Sequence, residues 1–166
     1  MEFVVQHTGR IKMPKITIES IPARTGSGYP TPFNISCTNR SRQPLGDAGG
    51  LSDFGVNLMT LPPGAWSSQR HWHSQEDEFV YVLAGQVKLI EDDGEVILRA
   101  GECAAFPKNS GNGHHLINAS SAAAIFLEIG SRHSGDDVTY SDIDMLFDSA
   151  KDQFIHKDGT PYPDSK

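Results

Sequence analysis

The chain has little cysteine. Only two of its 166 residues are cysteine, Cys37 and Cys103, and they lie far apart with no Cys-x-x-Cys pair. This spacing gives no indication of a zinc ribbon or a disulfide framework. We therefore expect two free thiols, with Cys103 buried as a small apolar side chain in the stretch Cys103-Ala104-Ala105-Phe106.

Positive charge is also scarce. The formal net charge is −7, and no Lys/Arg-rich block occurs anywhere in the sequence. Such a chain lacks the cationic surface that nucleic acids and anionic lipids require, so we expect neither as a partner. Long apolar runs are missing too, and the first residues show no basic patch followed by an apolar segment. The expected location is the cytoplasm.

Glycine and proline, in contrast, are abundant. Sixteen Gly and ten Pro favour short strands joined by turns over a helical bundle, which predicts an all-β fold. A chain of this length supports one well-buried core. We expect a barrel over residues 51–130, an N-terminal extension over 1–50 that packs on the barrel or on a partner subunit, and a C-terminal extension over 131–166.

Within 51–130, strand-like stretches alternate with turn signals. A period-2 pattern starts at Phe54 and stops at Pro62-Pro63-Gly64, since two prolines cannot continue a hydrogen-bonded strand. Residues 78–83 and 86–91 are rich in β-branched and aromatic residues, and we expect a tight hairpin between them. Asp93-Gly94 predicts a second hairpin. Outside this region, Ile16-Thr17-Ile18 predicts a short strand.

Two histidines and a glutamate carry the first sign of chemistry. His71 and His73 are two residues apart on an extended segment, so both side chains project to one face and can meet one metal ion. Glu78 shares the phase of Val80 and Val82, which places its carboxylate toward the interior. A carboxylate there is costly unless it is paired or bound to a metal.

A third imidazole comes from His114 or His115, which follow a glycine-rich loop. Only one of two adjacent strand residues can face inward. Three imidazole nitrogens and one carboxylate oxygen suit a single divalent transition metal ion, namely Zn, Mn, Fe, Ni or Co, and leave positions open for water or substrate. The predicted cofactor is therefore one such ion.

The spacing of these residues resembles the two motifs of the cupin superfamily. Gly64, His71-x-His73, Glu78 and Gly85 are similar to the first motif, and Gly101, Pro107, His114 and Asn118 to the second. The resemblance implies a double-stranded β-helix, with His71, His73, Glu78 and His114 as the metal ligands. In the second motif, the spacing to Asn118 selects His114 over His115 as the ligand. The sequence departs from the motifs in the position of Gly64 and in a long loop after Pro107, and both departures concern turn geometry.

Longer phrases, such as 66–73 and 156–162, resemble a bacterial single-cupin subfamily whose members include sugar-phosphate isomerases. This resemblance implies an isomerase that acts on a small sugar or sugar phosphate through Lewis-acid metal catalysis. Glu76, His115 and Tyr81 are candidate proton-transfer residues, and Arg70, Lys108 and Trp72 are candidate substrate contacts.

Two other functions fit the same ligands. An Fe(II)-dependent dioxygenase uses a similar histidine-rich site with open positions. A non-catalytic module could instead capture a small ligand with the metal or with the aromatic residues Trp66, Trp72 and Phe106. Resemblance to cupins also implies a homodimer, with sheet edges and the N-terminal segment available for pairing.

Overall fold

The chain folds almost entirely into β-strands. The structure is a computed structural model that describes residues 15–163. In that range it contains one α-helix, α1 (Leu45–Ala48), and two 3-10 helices, Ile18–Ser20 and Ile35–Cys37. The strands are β1 (Arg24–Thr25), β2 (Ser41–Pro44), β3 (Phe54–Leu61), β4 (His71–His73), β5 (Glu78–Ala84), β6 (Gln86–Glu91), β7 (Gly94–Arg99), β8 (Cys103–Phe106), β9 (His115–Ile117), β10 (Ala124–Ser131), β11 (Val138–Tyr140), β12 (Met145–Asp148) and β13 (Gln153–Ile155).

Antiparallel pairing collects these strands into three sheets. The largest has the order β1-β2-β3-β10-β5-β8, a second has β13-β12-β11-β4, and a third has β7-β6-β9. Two isolated bridges link other segments to the third sheet. Trp66 pairs with Ile117 of β9, and His71 of β4 pairs with His114, which immediately precedes β9. The predicted all-β class is confirmed. None of the helices in residues 15–163 is long and apolar enough to cross a membrane.

The core lies between the six-stranded and three-stranded sheets. Phe126 of β10 is paired with Met59 of β3 on one side and Val82 of β5 on the other, and none of the three is exposed to solvent. Alternate residues of a strand face opposite sides, so this register places one apolar row inside. The facing sheet contributes Val87, Leu89, Leu98 and Leu116.

The predicted hairpin between residues 78–83 and 86–91 is wrong. β5 pairs with β10 and β8, whereas β6 pairs with β7 and β9, so the chain changes sheet between them. Gly85 makes this corner with a φ of +72°, and a Cβ there would lie 2.6 Å from the carbonyl oxygen of Ala123. Only glycine fits both constraints. The second predicted hairpin is confirmed, because it joins β6 to β7, but its turn lies one residue earlier, at Asp92-Asp93, and Gly94 begins β7.

Two smaller expectations are also corrected. Cys103 is exposed, because the phase of β8 turns the buried Phe106 and the partly buried Ala104 toward the core. Residues 16–18 do not form a strand. The 3-10 helix begins at Ile18, and the side-chain amide of Gln43 donates hydrogen bonds to the carbonyls of Ile18 and Ile21, at 3.0 and 2.8 Å.

Segments before and after the central strands meet beside β4. β2 pairs with β3, and β11 pairs with β4 so that Tyr140 lies opposite His71. Tyr29 packs edge-on against Tyr140, with ring centroids 5.4 Å apart, and against Phe154 at 5.6 Å. This second apolar cluster supports the strand that carries the two histidines.

Candidate metal centre

Three segments bring four polar side chains together at one end of the core. β4 carries His71 and His73, β5 begins at Glu78, and His114 immediately precedes β9. Oε2 of Glu78 lies 3.6 Å from Nε2 of His71, 3.3 Å from Nε2 of His73 and 2.9 Å from Nε2 of His114. Three imidazoles therefore surround a single carboxylate oxygen.

Hydrogen bonds on the far side of two rings fix their orientation. Nδ1 of His71 donates to the carbonyl of Gln69 at 2.9 Å, and Nδ1 of His73 lies 2.5 Å from Oδ2 of Asp136. Because an acceptor engages each Nδ1, the Nε2 of each ring, once neutral, has its lone pair available to a metal ion beside Glu78. A carboxylate behind a histidine is a common support for metal-binding imidazoles.

His114 is held differently from the other two. Its backbone exchanges both hydrogen bonds with His71, at 2.9 and 3.1 Å, and its ring stacks on Phe106 with centroids 3.5 Å apart. Ligand atoms of His71, His73 and Glu78 all lie within 4.8 Å of one another. His114 stands outside that group, and its ring approaches the cluster through Nε2, which lies 2.9 Å from Oε2 of Glu78.

Burial and charge act in opposite directions on these groups. Burial lowers the pKa of His71 to about 4. It acts in the same direction on His73, but Glu78 and Asp136 outweigh it and raise the pKa of His73 to about 9. Burial alone would raise the pKa of Glu78, whereas the surrounding imidazoles hold it well below its ordinary value.

The donor atoms around Glu78 fit a metal ion. Within residues 15–163, Oε2 of Glu78 is buried and has no hydrogen-bond partner of acceptable geometry, despite three nearby nitrogens. A buried carboxylate oxygen among imidazole Nε2 atoms needs a positive charge beside it, which protonated His73 supplies in the metal-free protein and a metal ion would supply when bound. Nitrogen and carboxylate donors in this combination suit a divalent transition metal ion, so the residues fit one.

Asp136 is a residue that the sequence analysis missed. Besides His73, its carboxylate accepts hydrogen bonds from the backbone amides of Gln75 and Glu76, at 2.7 and 3.2 Å. It thus ties the loop between β4 and β5 to the ring of His73. Its position, in an acidic turn more than sixty residues after His73, leaves no local pattern from which this contact could be predicted.

A polar cavity of about 310 Å³ adjoins Glu78. Gly55, Gly130 and Glu78 lie side by side on β3, β10 and β5, and the two glycines leave space on the inner face. A Cβ on Gly130 would lie 3.6 Å from Cγ of Glu78. We call this space the glycine-floored cavity.

Glu128 lines the same cavity and was also missed. It follows Ala124 and Phe126 at intervals of two along β10, so its phase is inward, and this period-2 pattern could have identified it. Its carboxylate accepts a hydrogen bond from Nδ2 of Asn57 at 3.0 Å. Burial first, and then the charge of Glu78, raise the pKa of Glu128 above its ordinary value.

Comparison with known proteins places the chain in a family. The Cupin domain family matches residues 57–130. A cupin-superfamily sugar phosphate isomerase from Silicibacter pomeroyi, known from a crystal structure, shares 47% sequence identity with this chain. The two structures superpose with a TM-score of 0.86 over 90% of this chain and 96% of that one. The chain belongs to the cupin superfamily. The predicted double-stranded β-helix is thereby confirmed.

More distant structures agree in fold. A candidate sugar phosphate isomerase from Acidithiobacillus ferrooxidans is 29% identical with a TM-score of 0.63, over 71% of each chain. A polyketide cyclase from Streptomyces resistomycificus is 16% identical with a TM-score of 0.56, over 72% of this chain and 79% of that one. At that identity the likeness concerns the fold alone. No curated protein matches the chain.

The predicted proton-transfer residues of this cupin lie in three different places. Glu76 lines the glycine-floored cavity, and its Oε1 accepts a hydrogen bond from the amide of His133 at 2.5 Å. His115 is buried, with Nδ1 3.1 Å from the carbonyl of Ser68 and its ring edge-on to Trp66. Tyr81 is 39% exposed on the outer face of β5. Only Glu76 of the three is brought to the cavity beside Glu78.

The predicted substrate contacts are likewise dispersed. Arg70 is already paired with Asp142, at 2.6 Å, and with Asp92. Lys108 is exposed, and its backbone amide bonds the carboxylate of Asp77 at 2.9 Å. Trp72 lies on the opposite face of β4 from the two histidines and lines a separate surface cavity. None of these three lines the glycine-floored cavity.

Proposed function

We propose that this cupin is a metal-dependent isomerase that acts on a small sugar or sugar phosphate. The observation that carries the proposal is the buried Oε2 of Glu78, which faces three imidazoles and borders a cavity with a second, partly buried carboxyl group. Similarity to the sugar phosphate isomerase of Silicibacter pomeroyi supports the substrate class.

His71, His73, Glu78 and His114 would hold one divalent transition metal ion, such as Zn, Mn, Fe, Ni or Co. A bound ion of this kind polarises a carbonyl or hydroxyl oxygen as a Lewis acid. His71 and His73 offer Nε2 in fixed orientations because Gln69 and Asp136 engage their other nitrogens. The ligand that lacks such support is His114, which is positioned by its backbone and by Phe106.

Glu128 is the best-placed group in the cavity to move a proton. Isomerisation of an aldose to a ketose moves one proton from C2 to C1 and a second from the C2 hydroxyl to the C1 oxygen. One carboxyl group can carry the first proton, removing it from C2 and returning it to C1, while the second exchanges between the two oxygens through water. A raised pKa strengthens a carboxylate as a base, and Asn57 holds the group in place. Glu76, which lines the same cavity, is the alternative base.

Deuterium exchange tests the proposal. The metal-loaded protein is incubated in D₂O with a panel of pentoses, hexoses and their monophosphates, and the products are followed by NMR. We expect interconversion of an aldose and a ketose with deuterium at the carbon beside the carbonyl. Glu128→Gln should abolish the exchange, whereas Glu95→Gln, at an exposed position on β7, should leave it unchanged.

Two outcomes would contradict the isomerase. Substrate-dependent oxygen consumption by an iron-loaded protein would favour the dioxygenase. Binding of a sugar that is recovered unchanged and unlabelled, across the whole panel, would favour a non-catalytic binding module.

A further inference from the structure

Two arginines face each other across neighbouring strands at one edge of the large sheet. Antiparallel pairing of β1 and β2 places Arg24 directly opposite Arg42, and pairing of β2 with β3 places Arg42 opposite the buried Met59. Directly opposed residues share a face, so both arginines belong to the inner face. Like charges opposed in this way destabilise a sheet unless an anion lies between them.

No acidic residue lines the cavity that surrounds this pair. A cavity of about 220 Å³ is lined by Arg24, Arg40, Arg42 and residues 25–28, and no Asp or Glu is among these lining residues. The side chain of Arg40 is already hydrogen-bonded within the protein, since its Nε donates to the carbonyl of Gly26 at 3.0 Å and its Nη1 donates to the carbonyl of Ser67. In a chain whose net charge is −7, three guanidinium groups that line one cavity with no carboxylate among its lining residues favour an anion there.

Arg42 connects this cationic cavity to the candidate metal centre. It lines both the cationic cavity and the glycine-floored cavity that contains Glu78 and Glu128. The other arginine of the glycine-floored cavity, Arg132, is occupied by Asp47 and by the carbonyl of Leu51. Within residues 15–163, the side chain of Arg42 forms no hydrogen bond or salt bridge, although its charge acts on the carboxyl group of Glu128 across the glycine-floored cavity. The donor atoms of its guanidinium are therefore available to a ligand.

We propose that Arg42, assisted by Arg24, binds the phosphate of a phosphorylated sugar whose carbon chain lies in the glycine-floored cavity. This inference rests on the proposed function and assigns its substrate class to sugar monophosphates. A phosphate monoester carries close to two negative charges near neutral pH and matches two opposed guanidinium groups, whereas a carboxylate carries one. The planar guanidinium also donates two parallel hydrogen bonds to phosphate oxygens.

Calorimetric titration with inorganic phosphate tests the site directly. Arg42→Gln should weaken phosphate binding by about tenfold or more, because a charge-assisted hydrogen-bonded pair is lost. Arg42→Lys keeps the positive charge but not the planar group with two parallel donors, so it should show an intermediate loss of phosphate affinity. The matched control is Arg99→Gln, at an exposed position on β7, which should bind phosphate like the wild type. Acetate should bind more weakly than phosphate to the wild type.

A metal ion can itself bind phosphate, so the titration is repeated with His73→Ala. If His73→Ala still binds phosphate, the anion is held by the arginines and not by the metal ion. The inference is overturned if wild-type protein does not bind phosphate, or if Arg42→Gln binds it as tightly as the wild type. Circular dichroism and thermal unfolding show that each variant is folded before titration.

Failure of this inference is distinguishable from failure of the proposed function. If isomerisation proceeds equally with phosphorylated and free sugars and is unaffected by Arg42→Gln, the phosphate site is wrong and the isomerase stands. If phosphate binding depends on Arg42 but no sugar exchanges deuterium, the phosphate site stands and the isomerase is wrong.

Discussion

At the residue scale, the environment of His73 links metal binding to protonation. Its Nδ1 contacts Asp136, and its Nε2 lies 3.3 Å from Glu78. Both neighbours are acids, and together they stabilise the imidazolium in the metal-free protein. A metal ligand must be a neutral imidazole, so a proton has to leave His73 before or during metal binding.

We predict that metal binding releases about one proton from His73 at neutral pH. Its pKa of about 9 keeps it protonated in the metal-free protein, whereas His71, with a pKa of about 4, is already neutral. Metal affinity should therefore rise with pH, by up to about tenfold per pH unit for one proton, until pH exceeds the His73 pKa. Calorimetry in buffers of different ionisation enthalpy measures this release, and the same apparent enthalpy in all buffers would contradict it.

A second prediction at this scale concerns the support of His73. Asp136→Asn removes the carboxylate behind the ring and should weaken metal affinity by about 10- to 100-fold. Asp137→Asn is the matched control, because the neighbouring carboxylate bonds Ser149 and makes no contact with His73. A competition assay with a chelator measures both variants. Equal affinities for Asp136→Asn and the wild type would show that the contact is not needed.

Strand phase explains which site residues were predictable. His71, His73 and Glu78 lie on two extended segments, so alternation alone predicts that they face one interior. Glu128 obeys the same rule but lies fifty residues further along the chain, outside the two motifs. Asp136 follows no rule of phase. It reaches His73 only because β11 pairs with β4, a long-range contact that no local pattern encodes.

At the element scale, the three central strands of the large sheet form one inner surface. Two rows of paired residues cross β3, β10 and β5. One row is apolar and consists of Met59, Phe126 and Val82, and the other consists of Gly55, Gly130 and Glu78. The apolar row holds the sheets together, and the glycine row opens the cavity. The same strands thus supply both stability and the site.

We predict that Phe126→Ala lowers the free energy of unfolding by about 3–5 kcal/mol, since it removes a fully buried aromatic side chain and leaves a cavity. Tyr81→Ala, on the outer face of neighbouring β5, should cost much less because Tyr81 is 39% exposed. Denaturant unfolding of the two variants measures the difference. Similar losses for both would contradict the assigned phase.

The central strands were more predictable than the segments around them. Their alternation is a local property, so β3, β5, β6 and β7 could be read from the sequence. Whether neighbouring strands pair is not local, which is why a hairpin was wrongly predicted at Gly85. β1 and β2 lie in a stretch rich in Gly, Pro and Arg and become strands because β3 offers them an edge.

At the scale of the whole molecule, β5 presents an apolar stripe on its outer face. Phe79, Tyr81 and Leu83 alternate with core residues and are 36, 39 and 46% exposed. We predict that this stripe pairs with a second copy of the chain to give the homodimer expected of a cupin. Light scattering should report a dimer for the wild type and a monomer for Leu83→Asp.

The control for this dimer is Val96→Asp. Val96 is 51% exposed on β7, in the three-stranded sheet, and its substitution should leave the dimer intact. A wild-type protein that is monomeric at every concentration tested would contradict the prediction.

Elemental analysis of the purified protein tests the central claim most directly, since every proposed step depends on a metal ion held by the cluster around Glu78. We predict about one divalent transition metal ion per chain in the wild type and none in His73→Ala, with the variant still folded. Absence of a transition metal from wild-type protein after incubation with each of the five candidate ions, or one ion per chain retained in His73→Ala, would contradict the account.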